Sequence, residues 1–199
     1  MSSASPHFRT FRTEIWRLGC GECANQLVEL AVVLPILLVL VVGIFDFGQA
    51  FTLKQQLNNI AREAARLGSS QPTADLSQTA PPSVKAIRDL IDSDLKASKI
   101  DDCGLGDSQS GGRVSRTGTP DQVTWKAVGA TCPAGTLTVT IERATSAFSA
   151  TLNINVVCTH VNIQYPFQWH FNKVIQLIAP GASGTTNPVP GDAVIPNMD

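Results

Sequence analysis

Little in this chain suggests catalysis. Its 199 residues include only three histidines, His7, His160 and His170. No nucleophile–base–acid set, GxSxG elbow, HExxH helix or phosphate-binding loop occurs in it. An enzyme would have no residues to stand on, and no cofactor or metal is expected. The net charge is −1, too small a field to gather nucleic acid or an acidic substrate. Cys158 and His160, two apart on an expected strand, would share one face, but two ligands are too few to hold a metal. Cys20-Gly-Glu-Cys23 has CxxC spacing but lacks both a second pair and a βαβ context, so a redox or zinc role is not favoured. Long apolar runs are scarce too, since the chain has one.

That run is Leu27–Phe45, LVELAVVLPILLVLVVGIF, and it decides how the rest is read. Sixteen residues separate Glu29 from the next charge, Asp46. As a helix the run spans roughly 28 Å at ~1.5 Å per residue, close to the ~30 Å of a bilayer core. A helix satisfies its own backbone groups, as lipid demands. A cleaved secretory signal is the alternative, with Arg9, Arg12 and Arg17 as its basic front and Gly48-Gln49-Ala50 as its cleavage site. Against it, the run exceeds the ~7–15 residues of a signal core. A buried core helix has no comparably apolar elements to surround it. Pro35 should kink the span. Asp46, at the far end, is read as a headgroup-level residue.

The helical pattern continues past the run. Leu53, Leu57, Ile60, Ala61, Ala64 and Leu67 recur at three- and four-residue steps, with polar residues on the other face, which makes an amphipathic helix. Gly68 should end it. A Ser-, Thr- and Pro-rich linker follows. Ser83 is placed to cap a second helix carrying Val84, Ile87, Ile91 and Leu95. Residues 101–121 read as a long loop. Strands are expected near 122–128, 136–143 and 152–165, the clearest being Leu137, Val139 and Ile141 alternating with threonines. The apolar parity switches at Val156–Val157, the mark of a β-bulge. Phe167, Phe171, Val174, Ile175 and Ile178 fit a short helix. From Pro180 onward the composition is that of a disordered tail.

The fold class is therefore α+β, a long N-terminal transmembrane and amphipathic helix followed by a small antiparallel-sheet head with one or two short helices. The expected divisions are a cytoplasmic leader-like segment 1–24, a helix 25–68, an extracytoplasmic α+β domain 69–179 and a disordered tail 180–199. The sheet needs one face covered, and the stripe within residues 53–67 offers it. Lys and Arg on the two sides of the span are balanced, so orientation rests on the long C-terminal part, which is exported largely regardless of charge. Outside the cytoplasm a disulfide can form. Cys103 and Cys132 are the expected pair, because they lie in loops beside Gly104 and Pro133. Cys158, on a strand, reads as a small buried apolar residue.

Several segments together resemble the TadE-like family, minor pseudopilins of the tight-adherence, type IVb pilus system. They are Arg17 with the small residues after it, Leu27-Val28-Glu29-Leu30-Ala31 with Leu34-Pro35, Gly43-Ile44-Phe45-Asp46-Phe47-Gly48, and Ala61-Arg62-Glu63-Ala64-Ala65-Arg66. The match is close over about residues 24–68, and Val161–Phe167 is similar to the family's closing strand. The resemblance implies a single-pass protein of the inner membrane, its N-terminus cytoplasmic, with the bilayer, other pilus subunits and a prepilin peptidase as partners. It implies a cut between Ala24 and Asn25, which makes Glu29 the fifth residue of the mature chain. The new amine would pair with such a glutamate of a neighbouring subunit. Position 24 is Ala where such peptidases usually take Gly. The other readings are a single-span anchored extracytoplasmic binding module and a secreted protein with a cleaved signal peptide.

Overall fold

The computed structural model describes residues 20–78, 81–106, 115–117, 124–132, 135–149, 154–170, 173 and 187–197. The chain divides into two compact units, residues 1–44 and 45–199, and helix α1 (Cys20–Ser70) contributes to both. In the first unit the described side chains, Asn25 to Ile44, are exposed, apart from Val39, Val42 and Gly43, which are half-covered. This stretch is long and apolar enough to cross a membrane, and none of its most apolar window is buried within the protein. The helix runs through Pro35.

The second unit is α+β. The remainder of α1 and a shorter helix α2 (Pro82–Ala97) share a core with a five-stranded antiparallel sheet. Its strands are β1 (Ser115–Thr117), β2 (Thr124–Gly129), β3 (Leu137–Ser149), β4 (Ile154–Tyr165) and β5 (Val189–Pro196), adjacent in chain order. Period-two alternation sets the inner face. Ala127, Val139 and Ile163 are buried in register across β2, β3 and β4, with Gly191 of β5 beside Ile163. Against that face lie Leu57, Ile60, Ala61, Ala64 and Ala65 of α1 and Val84, Ile87, Ile91 and Leu95 of α2, all buried. The stripe within residues 53–67 thus covers the sheet as its spacing predicted. Gly191 permits the close approach, since a Cβ there would lie 2.7 Å from the carbonyl carbon of Leu57.

Four details differ from expectation. Residues 189–196 are not a disordered tail but β5, at the edge of the sheet. Proline is tolerated there because an edge strand has one unpaired side. Asp192 N–H points to that side and donates to Asn58 Oδ1 at 3.1 Å. By alternation Pro190 and Pro196 lie on the same side and have no N–H to offer, which blunts the edge against further pairing. Second, part of the long loop at 101–121 forms β1.

Third, the bulge lies on β3 rather than on β4 at Val156–Val157. The pairing steps from Glu142↔His160 to Thr145↔Cys158, so Arg143 and Ala144 together oppose Thr159. Cys158 and Thr159 are both buried, so the parity change on β4 falls two residues later than its apolar pattern placed it. Fourth, Ser83 does not cap α2. Pro82 fills the first helical position, where a missing N–H costs nothing, and Pro81 is the extended residue before it. Asp75 in the linker accepts instead, from Ser83 N–H at 2.9 Å and Ser83 Oγ at 3.1 Å.

Helix α2 ends with Lys99 at φ 57°. Its last turn closes through Ile100 N–H to the Leu95 carbonyl at 2.9 Å, a Schellman arrangement. Residues 167–170 lie in irregular backbone, and beyond them only Lys173 of the short helix expected there is among the described residues.

Candidate functional site

The residues singled out from the sequence lie on α1 and in the loops of the second unit. Ala24, Asn25 and Glu29 are within one stretch of α1. Asn25 and Glu29 are exposed, and the side chain of Ala24 is outside the described set. Among the described residues no hydrogen bond or ion pair reaches Glu29. An acid in an otherwise uncharged apolar stretch of helix is costly in lipid, by about 2.5–3.5 kcal/mol at the bilayer centre on insertion scales. It therefore calls for a partner from outside the chain or for a place at the interface.

The Ala61-Arg62-Glu63-Ala64-Ala65-Arg66 segment divides by face. Its three alanines are fully buried against the core, while Arg62, Glu63 and Arg66 are exposed. Small side chains here let α1 lie close to the sheet. The charged residues line a groove of ≈ 640 Å³ shared with Asp192–Ile195 of β5.

Cys103 and Cys132 are joined in a disulfide, with Cα atoms 4.7 Å apart, inside the range a bridge requires. With Asp101 they form a grouping whose ligand atoms all lie within 4.8 Å of one another, and the bridge occupies both sulfurs. Cys158 is a buried free thiol. The side chains of Cys20 and Cys23 lie outside the described set.

Three polar relationships were not visible in the linear sequence. Asp46 is buried, and His170 Nδ1 meets its Oδ1 at 3.1 Å. It is held by the segment after β4, not simply set at headgroup level. His160 on the outer face of β4 lies between Glu142 of β3, at 3.1 Å from Nδ1, and Asp192 of β5, at 2.6 Å from Nε2. Asn162 Nδ2 also donates to Asp192, at 2.9 Å. Burial acts to lower the His160 pKa, but the hydrogen bonds and charges of the two carboxylates outweigh it and raise the pKa above its usual value. Burial acts to raise that of Asp192, yet the bonds from Asn162 and His160 bring it below the usual carboxylate range. Finally, Arg143, on the inward parity of β3, is buried against the end of α1.

These features fit a membrane-anchored protein, with one helix among the described residues long and apolar enough to cross a bilayer and a disulfide-bridged α+β unit after it. Residues 26–66 match the family model described as TadE-like protein, the same helix on which the sequence resemblance rests. No curated protein and no solved structure matches the chain. A TadE-like segment on a single N-terminal apolar helix fits a membrane-anchored, pilus-related protein, and that family is not an enzyme family.

Proposed function

We propose that the protein is a minor pseudopilin that takes part in assembling a tight-adherence, type IVb pilus. The observation that carries this reading is a coincidence on one helix. The family match at 26–66 covers an exposed apolar stretch whose one acid, Glu29, has no partner among the described residues. In the mechanism that the family implies, a prepilin peptidase cuts between Ala24 and Asn25. The freed ammonium of one subunit then neutralises Glu29 of the next inside the fibre. Both charges would be buried, and pairing offsets their desolvation.

The N-terminus would be cytoplasmic and the second unit would lie outside the inner membrane. The Cys103–Cys132 bridge supports that side, because disulfides persist in oxidising compartments. N-terminal sequencing of the protein from the membrane fraction tests the reading. A chain that begins at Asn25 agrees with it. One that begins at Met1 is a plain anchored module, and one that begins near Phe51 is a secreted protein that has lost its signal.

A further inference from the structure

The second unit carries an apolar surface that its own core does not explain. Phe47 and Phe51, one turn apart on α1, are 70% and 63% exposed, on a face that the sheet does not cover. Trp169 reaches them from the segment after β4, its ring edge-on to Phe47 at 5.7 Å and to Phe167 at 4.9 Å. The His170–Asp46 contact fixes that segment and places the carboxylate within the protein, away from the surface. Pro188 and Pro190 close the far side of an open groove of ≈ 590 Å³ whose lining is almost wholly apolar, with Lys54 at its end. Exposed aromatic and prolyl groups from three separate segments of the chain converge here.

We propose that this surface is a lipid-interface foot: Phe47, Phe51, Trp169 and Pro188 rest in the headgroup layer of the bilayer that α1 enters, and Lys54 reaches its phosphates. The inference rests on the reading of α1 as a membrane anchor. Depth along the helix decides for lipid. The apolar run ends at Phe45, so Phe47 and Phe51 lie roughly 3 and 9 Å further along the axis and Lys54 about 14 Å further. The interfacial layer adds ~5–8 Å on each side of the hydrocarbon. The two phenylalanines therefore fall within or just at the rim of that layer. The ammonium lies beyond it, with a stem long enough to turn back to the phosphates. Tryptophan is enriched at this depth because its ring is amphipathic. The patch thus continues the membrane contact of the span, using side chains suited to the layer just above it.

Trp169 is itself the probe. The full-length chain with Trp16→Phe and Trp125→Phe, checked for an unchanged melting curve, is placed in phosphatidylcholine nanodiscs at one copy per disc. Its emission is read against aqueous iodide and against lipids carrying a nitroxide at the headgroup or deep in the acyl chain. Headgroup nitroxide should remove most of the Trp169 emission while iodide has little effect. A companion chain with Leu37→Trp and the three native tryptophans replaced by Phe reports on the span. If that reporter is quenched by the deep nitroxide while Trp169 is open to iodide and untouched by the labelled lipids, the foot is refuted and the anchor stands. If the Leu37→Trp reporter is not quenched by lipid, the anchor reading fails and the foot fails with it. Protection of Trp169 that appears only with several copies per disc also overturns the proposal, and assigns the patch to contact between copies.

Discussion

Arg143 of β3 donates through Nη2 to the carbonyl oxygen of Gly68, 2.8 Å away, in the last turn of α1. The same guanidinium reaches the Gln71 carbonyl at 2.7 Å, the Pro72 carbonyl at 3.3 Å and Ser83 Oγ at 2.6 Å. A helix ends with carbonyls that have no intrahelical partner. Here one buried cation meets the Gly68 carbonyl together with two carbonyls just past the helix, and ties the end of α1, the linker and the start of α2 to the sheet. Arg143 continues the inward parity of Val139 and Ile141 on β3, which aims its side chain at the core.

Arg143→Met keeps much of the volume but removes these donors. Each buried acceptor left unsatisfied costs ~1–3 kcal/mol, and relaxation recovers part of that. The expected loss is about 3 kcal/mol, or roughly 10 °C in the melting of a unit of this size. Thermal unfolding followed by near-UV circular dichroism in detergent checks it. A loss below ~1 kcal/mol would mean that water replaces the guanidinium without penalty.

Gly191→Ala should also destabilise. The added methyl would meet the backbone of Leu57 at 2.7–2.8 Å, and neither the helix nor the edge strand can yield without disturbing the core. Overpacking of this kind costs about 1–3 kcal/mol. Gly48→Ala is the contrast, because its Cβ would meet nothing within 4 Å. A glycine inside a helix gains about 0.5–1 kcal/mol on becoming alanine. Opposite shifts in melting temperature are expected, and a rise or no change for Gly191→Ala would refute the packing described for Gly191.

What the sequence revealed of this architecture follows from periodicity. Leu57, Ile60, Ala61 and Ala64 repeat at helical spacing, and Leu137, Val139 and Ile141 repeat at strand spacing, so both faces of the core could be read directly. β5 was masked by its prolines. Val189, Gly191, Ala193 and Ile195 do alternate inward, but Pro190, Gly191 and Pro196 outweigh that pattern in any propensity reading. The Glu29 segment was legible because a charge in a long apolar run stands out. The contacts of Arg143, His160 and Asp46 were not, because each joins residues far apart in the chain and depends on register. Arg143 reaches Gly68 from 75 positions away, and no local pattern encodes that pairing.

The His160 cluster predicts a pH optimum. A group whose pKa is raised on folding contributes stability that is complete below its unfolded value, about 6.5 for histidine, and lost as pH rises through the folded value. Asp192, lowered on folding, contributes stability that is present above ~3.9 and lost as pH falls through its folded value. Both contributions are therefore in place between about pH 4 and 6.5. Comparing melting temperatures of the native chain and His160→Gln across pH tests this. The advantage of the native chain should be largest near pH 5–6 and shrink toward pH 9, where neutral imidazole can donate to only one of its two carboxylates. A gap that widens with rising pH would contradict the raised His160.

Glu29 carries the sharpest test of the pilus reading. Its carboxylate is exposed on an apolar helix and has no partner among the described residues, so in lipid it is a cost to the isolated subunit. Glu29→Ala removes that cost, and membrane abundance should stay the same or rise. If the amine of a neighbouring subunit pairs with Glu29 in the fibre, the same substitution leaves that ammonium buried without a counter-charge, a loss of about 3–5 kcal/mol for a broken buried pair. Surface piliation and co-purification with other pilus components should then fall sharply while the protein remains in the membrane. Glu29→Gln separates charge from shape, because it keeps the volume and a hydrogen-bond acceptor but should fail nearly as badly as alanine. If both variants assemble normally, Glu29 is an interfacial residue with no role in subunit pairing. The chain would then be better described as a single-span anchored binding module.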